Sequence, residues 1–159
     1  MRLLKLYYKR KGKPIPYYAE YSIGMILWRP IRKYLNVVII PNIPFNGLRI
    51  AMYRWLGYKI GKKVFIGMKC YMDDLEPSHT HIGNNVTISY GCYFALHGKG
   101  QNRNYIIIKD GAYVGMRANV IARNGELVVG EKAIVGACSL VNKSVEAQTT
   151  VAGVPAKVI

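Results

Sequence analysis

Acidic residues are nearly missing from the first 63 positions. Glu20 stands there alone against fourteen Lys and Arg, a balance of +13, whereas residues 64–159 hold nine Lys/Arg and seven acids, only +2. The net charge of +15 therefore belongs to an N-terminal segment. Such a segment favours an anionic surface: a membrane leaflet, a polyanionic glycan or a nucleic acid. No nucleic-acid module accompanies it, so nucleic acid is not expected as a partner. Cysteine is scarce as well. Cys70, Cys92 and Cys138 form no C-x-x-C pair, which excludes a disulfide framework and fits a reducing, cytoplasmic compartment. Phe occurs three times against thirteen Tyr, so most aromatic rings carry a polar tip. Long apolar runs are absent too. Residues 21–28 and 34–45 are apolar, but Arg29, Pro30, Arg32 and Lys33 separate them, and neither approaches the roughly 18–20 residues of a spanning helix. Lys and Arg interrupt the first thirteen residues too often for a signal peptide.

What is present is a six-residue rule. From residue 60 nine units fit it: IGKKVF (60–65), IGMKCY (66–71), IGNNVT (82–87), ISYGCY (88–93), IKDGAY (108–113), VGMRAN (114–119), VGEKAI (129–134), VGACSL (135–140) and VNKSVE (141–146). The first residue is always Ile or Val, the fifth always Val, Cys, Ala or Ser, and the second is Gly in six. Neither a strand period of 2 nor a helix period of 3.6 produces this. A prism with three short sides does, each unit supplying one side and one corner. The first residue fills the interior, the small fifth fits a crowded position, and Gly or Asn relieves the turn. All three cysteines are read as small inward residues, and Asn84 and Asn85 as turn residues. No unit can bury its apolar side alone, so stacked coils supply the core.

The interruptions follow the same rule. Apolar positions run 60, 66, 72, then 82, 88, 94, then 108, 114, 120, then 129, 135, 141. The surplus residues, four, eight and three, all leave after the third member of a triplet, hence at one corner. The spacing predicts an all-β parallel β-helix of about four coils, with a long arm over roughly 95–107. A β-sandwich of short strands would show no such phase.

These hexads, the closing VAGVPAKVI (151–159) and the His-bearing arm resemble the left-handed β-helix O-acyltransferases, closest to the sugar and polysaccharide O-acetyltransferases. FNGLRIAMYRWLGYKIGKKVFIG (45–67) resembles the lead-in of enzymes that acetylate exopolysaccharide or O-antigen units. The resemblance implies a left-handed coil, acetyl-CoA as co-substrate, a saccharide acceptor, direct transfer in a ternary complex, and a homotrimer with sites between subunits. GCYFALH (91–97) stands where the sugar enzymes carry their catalytic histidine, which makes His97 the general base. HGKG (97–100) is similar to the GGTGK loop of serine acetyltransferases, but DDLEP (73–77) carries no His, so the carboxylate–histidine pair of that branch has no evident counterpart. On that ground the sugar branch is preferred. The coenzyme groove of the family falls on Tyr113, Gly115, Met116, Ala137, Asn142, Lys143 and Lys157, the two lysines meeting coenzyme phosphates.

The chemistry needs a proton acceptor beside an alcohol and a thioester held in line, and an imidazole titrates in the right range to be that acceptor. Asp73, Asp74 and Glu76 lie at the same corner one coil earlier. Two roles are open to them: binding sugar hydroxyls, or orienting the imidazole. His79, His81 and His97 invite comparison with zinc-dependent carbonic anhydrases on the same prism, but the spacing does not match, and no metal is expected. A non-catalytic β-helix scaffold is the remaining alternative; it would need neither the arm nor the C-terminal lysines.

Residues 1–59 form a separate segment before the repeat domain of 60–159. Within it, 46–57 read as an amphipathic helix with Asn46 as cap, Gly57 as stop and Leu48, Met52 and Leu56 on one face, with Arg49 and Arg54 elsewhere. Residues 45–59 are expected to cap the open end of the prism. Residues 1–44, with Tyr18, Tyr21, Ile26, Leu27 and Trp28 among basic residues, suit peripheral contact with an anionic membrane at its inner face. A saccharide acceptor carried on a lipid would fit that position.

Overall fold

From Lys59 onward the described residues hold fourteen strands of two to four residues: β1 (Lys59–Ile60), β2 (Phe65–Ile66), β3 (Tyr71–Met72), β4 (Thr80–Ile82), β5 (Thr87–Ile88), β6 (Tyr93–Ala95), β7 (Tyr105–Ile108), β8 (Tyr113–Val114), β9 (Asn119–Ile121), β10 (Glu126–Val129), β11 (Ile134–Val135), β12 (Leu140–Val141), β13 (Thr150–Ala152) and β14 (Lys157–Val158). This computed structural model describes residues 7–12, 22–97 and 104–159. The chain divides into two compact units, residues 1–35 and residues 36–159. In the second, every third strand from β1 to β12 pairs in parallel, and β13 and β14 extend the second sheet, giving three sheets: β1-β4-β7-β10, β2-β5-β8-β11-β13-β14 and β3-β6-β9-β12. The result is a β-solenoid of four turns.

The six-residue rule maps onto the register rung by rung. Ile60, Ile82, Ile108 and Val129 stack in the first sheet. Ile66, Ile88, Val114, Val135 and Val151 stack in the second. Met72, Phe94, Val120 and Val141 stack in the third. All but Ile60 are buried. The small fifth residues Val64, Cys70, Val86, Cys92, Ala112, Ala118, Ala133 and Ser139 are buried beside them. The surplus residues leave between the third and first sheets, at one corner as expected.

Three details depart from the sequence reading. VNKSVE (141–146) is not one side: Val145 already bridges Val129 in the first-sheet position, so this last corner is cut short. Second, the left-handed residue at each corner is the fourth of its hexad. Lys63, Lys69, Asn85, Arg117, Lys132 and Cys138 take φ between 52° and 60°, and Gly91 and Gly111 do the same at 71° and 70°. Cys138 is thus an exposed turn residue and not an inward one. Third, the second-position glycines answer to the neighbouring coil, not to the turn. A Cβ on Gly67 would meet Tyr90 N at 2.6 Å and Ser89 C at 2.7 Å, backbone atoms that cannot step aside. Gly67→Ala is therefore expected to cost about 1–3 kcal/mol, read as a lower urea midpoint with an unchanged slope.

The open edge of the first coil is satisfied by side chains of helix α2 (Asn46–Trp55). Asn46 does not cap this helix; Phe45 occupies that position. Instead the Asn46 amide donates to Val64 O and accepts from Ile66 N, both at 3.0 Å, as a further strand would. Arg49 is buried, not outward. Its Nε and Nη2 donate to Ile66 O at 3.0 and 2.6 Å, and its Nη1 to Ile43 O at 2.5 Å. Arg54 donates to Ile60 O and Gly61 O. The inward face is Arg49, Ile50, Tyr53 and Leu56, while Leu48 is half exposed. The apolar spacing of Leu48, Met52 and Leu56 misplaced this face because the partner of the helix is a row of backbone carbonyls, which asks for guanidinium groups. Gly57, at φ +107°, ends the helix as expected. Two of the cations of the basic segment are thus spent on this cap.

Residues 22–34 of the first unit hold helix α1 (Ile23–Tyr34), capped by Ser22 Oγ, which accepts from Met25 N at 3.2 Å. Tyr18 and Tyr21 lie outside the described residues.

Candidate active site

Strands β3 and β6 are neighbours in the third sheet, Tyr71 opposite Tyr93 and Met72 opposite Phe94. Their C-terminal ends therefore emerge side by side at the corner where the surplus residues leave. Asp73 follows β3 directly, and His97 lies two residues beyond β6. Neither strand could deliver its side chain here without the insertion, since a plain hexad would turn at once into the next side.

At this corner His97 Nδ1 lies 2.5 Å from Asp73 Oδ2. The Asp73 side chain is 1% exposed and that of His97 39%. A carboxylate oxygen accepts, so Nδ1 carries the proton and Nε2 is the free basic nitrogen. Among the described residues Nε2 has no hydrogen-bond partner. The remaining capacity of the carboxylate is taken by backbone: Leu96 N donates to Oδ2 at 2.7 Å and Leu75 N to Oδ1 at 3.0 Å. Of the two roles open to the acidic cluster, orienting the imidazole is the one that Asp73's position fits. Asp74 is also buried, and Glu76 is half-buried at the start of the turn Pro77–His79. The serine branch's carboxylate–histidine pair, for which DDLEP (73–77) offered no evident counterpart in sequence, has one here in Asp73 and His97. The partners are 24 residues apart, and the β-helix brings them together because one coil sets Met72 opposite Phe94, so that the chain just beyond each strand meets at one corner. The pair removes the ground for preferring the sugar branch.

Behind the pair lies a polar framework that the sequence did not announce. Tyr58 Oη is 2.9 Å from Asp73 O and 3.0 Å from Asn36 Oδ1, and Asn36 Nδ2 donates to Met72 O at 2.5 Å. Asn104, 1% exposed, closes the arm. Its amide donates to Leu96 O at 2.8 Å and Ala122 O at 2.9 Å and accepts from Gly125 N at 2.8 Å. One side chain thus ties together both ends of the His97 arm and the next corner. Asn104→Ala orphans two buried carbonyls, Leu96 O and Ala122 O, at about 1 kcal/mol each, while Gly125 N, at an exposed residue, can turn to water. A loss of roughly 2 kcal/mol is expected, with hydrogen-exchange protection falling first at Leu96 and Gly125. The only sequence signal was a polar residue just ahead of YIII (105–108). Residues 98–100, which complete HGKG, lie outside the described residues.

The residues matched to the coenzyme groove lie in three places. Tyr113, Gly115, Met116 and Ala137 share the corner between the second and third sheets. Tyr113 is exposed and accepts from Ser89 Oγ at 3.2 Å, Gly115 packs against Ala137, and Met116 is exposed. Asn142 and Lys143 follow β12 and line a cleft of about 430 Å3 with Arg123, Asn124 and Glu126. Lys157 lies on β14, paired with Ala152. Within one chain, no hydrogen bond among the described residues links these groups to His97. His79 and His81 are drawn elsewhere: His79 stacks on Tyr105 at 4.0 Å, and His81 Nε2 lies 2.9 Å from Ser78 O. Among the described residues no group of three or more His, Cys, Asp or Glu is arranged to hold a metal ion.

A triangular β-solenoid with a half-exposed, carboxylate-held imidazole on a corner arm defines a narrow class. Among curated proteins, the serine acetyltransferase of Bacillus licheniformis is 34% identical over 117 residues, 72% of this chain and 49% of that protein. That of Bacillus pumilus is 29% identical over 158 residues, 99% of this chain and 60% of that protein. The chain thus spans about half to three-fifths of the length of the curated relatives it matches. Among solved structures, a hexapeptide-repeat acetyltransferase from Vibrio cholerae superposes with a TM-score of 0.67 at 26% identity, covering 87% of this chain and 92% of that one. Its complex with acetyl coenzyme A superposes at 0.66 with 23% identity over 94% and 93% of the two chains. No protein-family model matches the sequence. By fold and by sequence together, the chain belongs to the hexapeptide-repeat acetyltransferases.

Proposed function

We propose that the chain is an O-acetyltransferase that moves an acetyl group from acetyl-CoA to an alcohol, with His97 as general base and Asp73 as its positioning partner. The observation that carries this reading is the 2.5 Å Asp73–His97 contact beneath a half-exposed ring. Nε2 takes the hydroxyl proton as the alcohol oxygen attacks the thioester carbonyl. The C–S bond then breaks, and the imidazolium returns its proton to the departing coenzyme A thiolate. The buried carboxylate keeps the ring in the right tautomer and stabilises the imidazolium between these steps.

Two acceptors have support from separate observations. A serine hydroxyl follows from the names of the curated relatives and from the carboxylate–histidine pair. A saccharide hydroxyl, in surface-polysaccharide or glycan biosynthesis, follows from the resemblance of GCYFALH (91–97) and of residues 45–67 to the sugar enzymes; peripheral attachment to a membrane would suit a lipid-linked acceptor. The coenzyme lies along Tyr113, Gly115, Met116 and Ala137 in this reading, with Asn142, Lys143 and Lys157 toward its phosphates. Because Tyr113, Gly115, Met116 and Ala137 sit at a corner away from His97, a cyclic trimer that sets one chain's arm against a neighbour's groove completes the site.

Free thiol release from acetyl-CoA, measured with L-serine and in parallel with a panel of mono- and oligosaccharides, tests the activity and separates the acceptors. Release that no acceptor raises above the acceptor-free rate would overturn the proposal. Sedimentation should find three chains per particle.

A further inference from the structure

The helix of the first unit is apolar on its outside. Ile23, Leu27, Ile31 and Tyr34 recur at intervals of four, four and three residues, so they form one stripe along α1. They are 67%, 63%, 52% and 58% exposed, and no residue of the helix is buried. Arg29, Arg32 and Lys33 occupy the other side, and the helix has no acidic residue. Twelve residues extend about 18 Å, and no helix among the described residues is long and apolar enough to cross a membrane. An amphipathic helix of this length can, however, lie in the plane of a bilayer surface, its apolar stripe among the acyl chains and its cations among the headgroups.

We infer that α1 is an in-plane membrane anchor selective for anionic lipid. The charge decides between occupants. A second copy of the chain would bring another segment with a balance of +13 against the first, so like charges would gather around the apolar contact. An anionic bilayer supplies an apolar layer and a sheet of negative charge together. This inference does not depend on the acetyl-transfer reading, because lipid binding can be measured without acyl chemistry.

The test is co-sedimentation of the full chain with phosphatidylcholine vesicles, with and without one-third phosphatidylglycerol. Binding to the anionic vesicles is expected to be tighter by about tenfold or more and to weaken in high salt. Leu27→Asp with Ile31→Asp should lower it by about tenfold or more, with the thermal midpoint kept. Lys33→Glu, at an exposed position, serves as a second and milder variant and should lower only the anionic preference. Equal binding to both vesicle types, binding that the double variant leaves unchanged, or a double variant that changes only the number of chains per particle would each overturn the inference.

Discussion

Replacing His97 with asparagine should lower acceptor-dependent thiol release by about a hundredfold to ten-thousandfold, the usual worth of a positioned general base. The imidazole is half exposed at the base of an arm, so the fold does not lean on it, and the melting temperature should stay near that of the parent. The Michaelis constant for acetyl-CoA should also stay, because Tyr113, Gly115, Met116 and Ala137 of the proposed groove lie at another corner, and Asn142 and Lys143 two coils further along. Asp73→Asn is the companion. It keeps an oxygen for Leu75 N or Leu96 N, but turns an NH2 group or a weaker acceptor toward His97 Nδ1. Its loss should appear in the rate constant and not in coenzyme affinity. A His97→Asn protein with near-parental turnover would remove the catalytic proposal; loss of folding in the same protein would show that the ring is structural.

Arg49→Ala should cause the largest loss of stability of any single change in the cap. Three N–H groups of one guanidinium serve Ile66 O and Ile43 O. Hydrogen bonds to a charged group contribute about 1.5–3 kcal/mol each, and the side-chain stem fills buried space. A loss of roughly 3–5 kcal/mol follows from leaving those carbonyls bare. At this chain size it should appear as a fall of roughly 6–20 °C in melting temperature. Arg49→Lys should recover only part of it, because an ammonium cannot serve two carbonyls from a planar fork. If Arg49→Ala melts within a degree or two of the parent, the guanidinium does not hold the first coil.

The scaffold was legible because a β-helix repeats one local problem. Each side must fill the same interior with the same size of residue, so Ile66, Ile88, Val114 and Val135 announce a column before any coordinate exists. The exit corner was legible for the same reason: a surplus shows wherever the phase breaks. Less legible was whatever depends on an edge. The solvent-side logic that assigned Arg49 to the surface fails where an edge of backbone, not water, lies opposite. Cys138 fitted the small-residue pattern by type, but its hexad places it one residue early, at the turn. The catalytic corner was half legible. His97 stood out by its place before an insertion, and Asp73 by charge. The phase set both at one corner, one coil apart, but did not state which of Asp73, Asp74 and Glu76 faces the ring. Asn104, Tyr58 and Asn36 carry no repeat phase, so nothing in the pattern separates them from ordinary polar residues.

At the far end of the solenoid the chain reverses. β14 runs antiparallel to β13, Leu140 N donates to Gly153 O at 2.9 Å, and Ala156 N donates to Leu140 O at 2.8 Å. The last residues thus lie across the final rungs of the second and third sheets, as the side chains of α2 do below the first. A stack of parallel rungs is a template on which more rungs of the same kind can grow, from any molecule that presents them. With both terminal rungs occupied by groups of another geometry, that growth has no starting point.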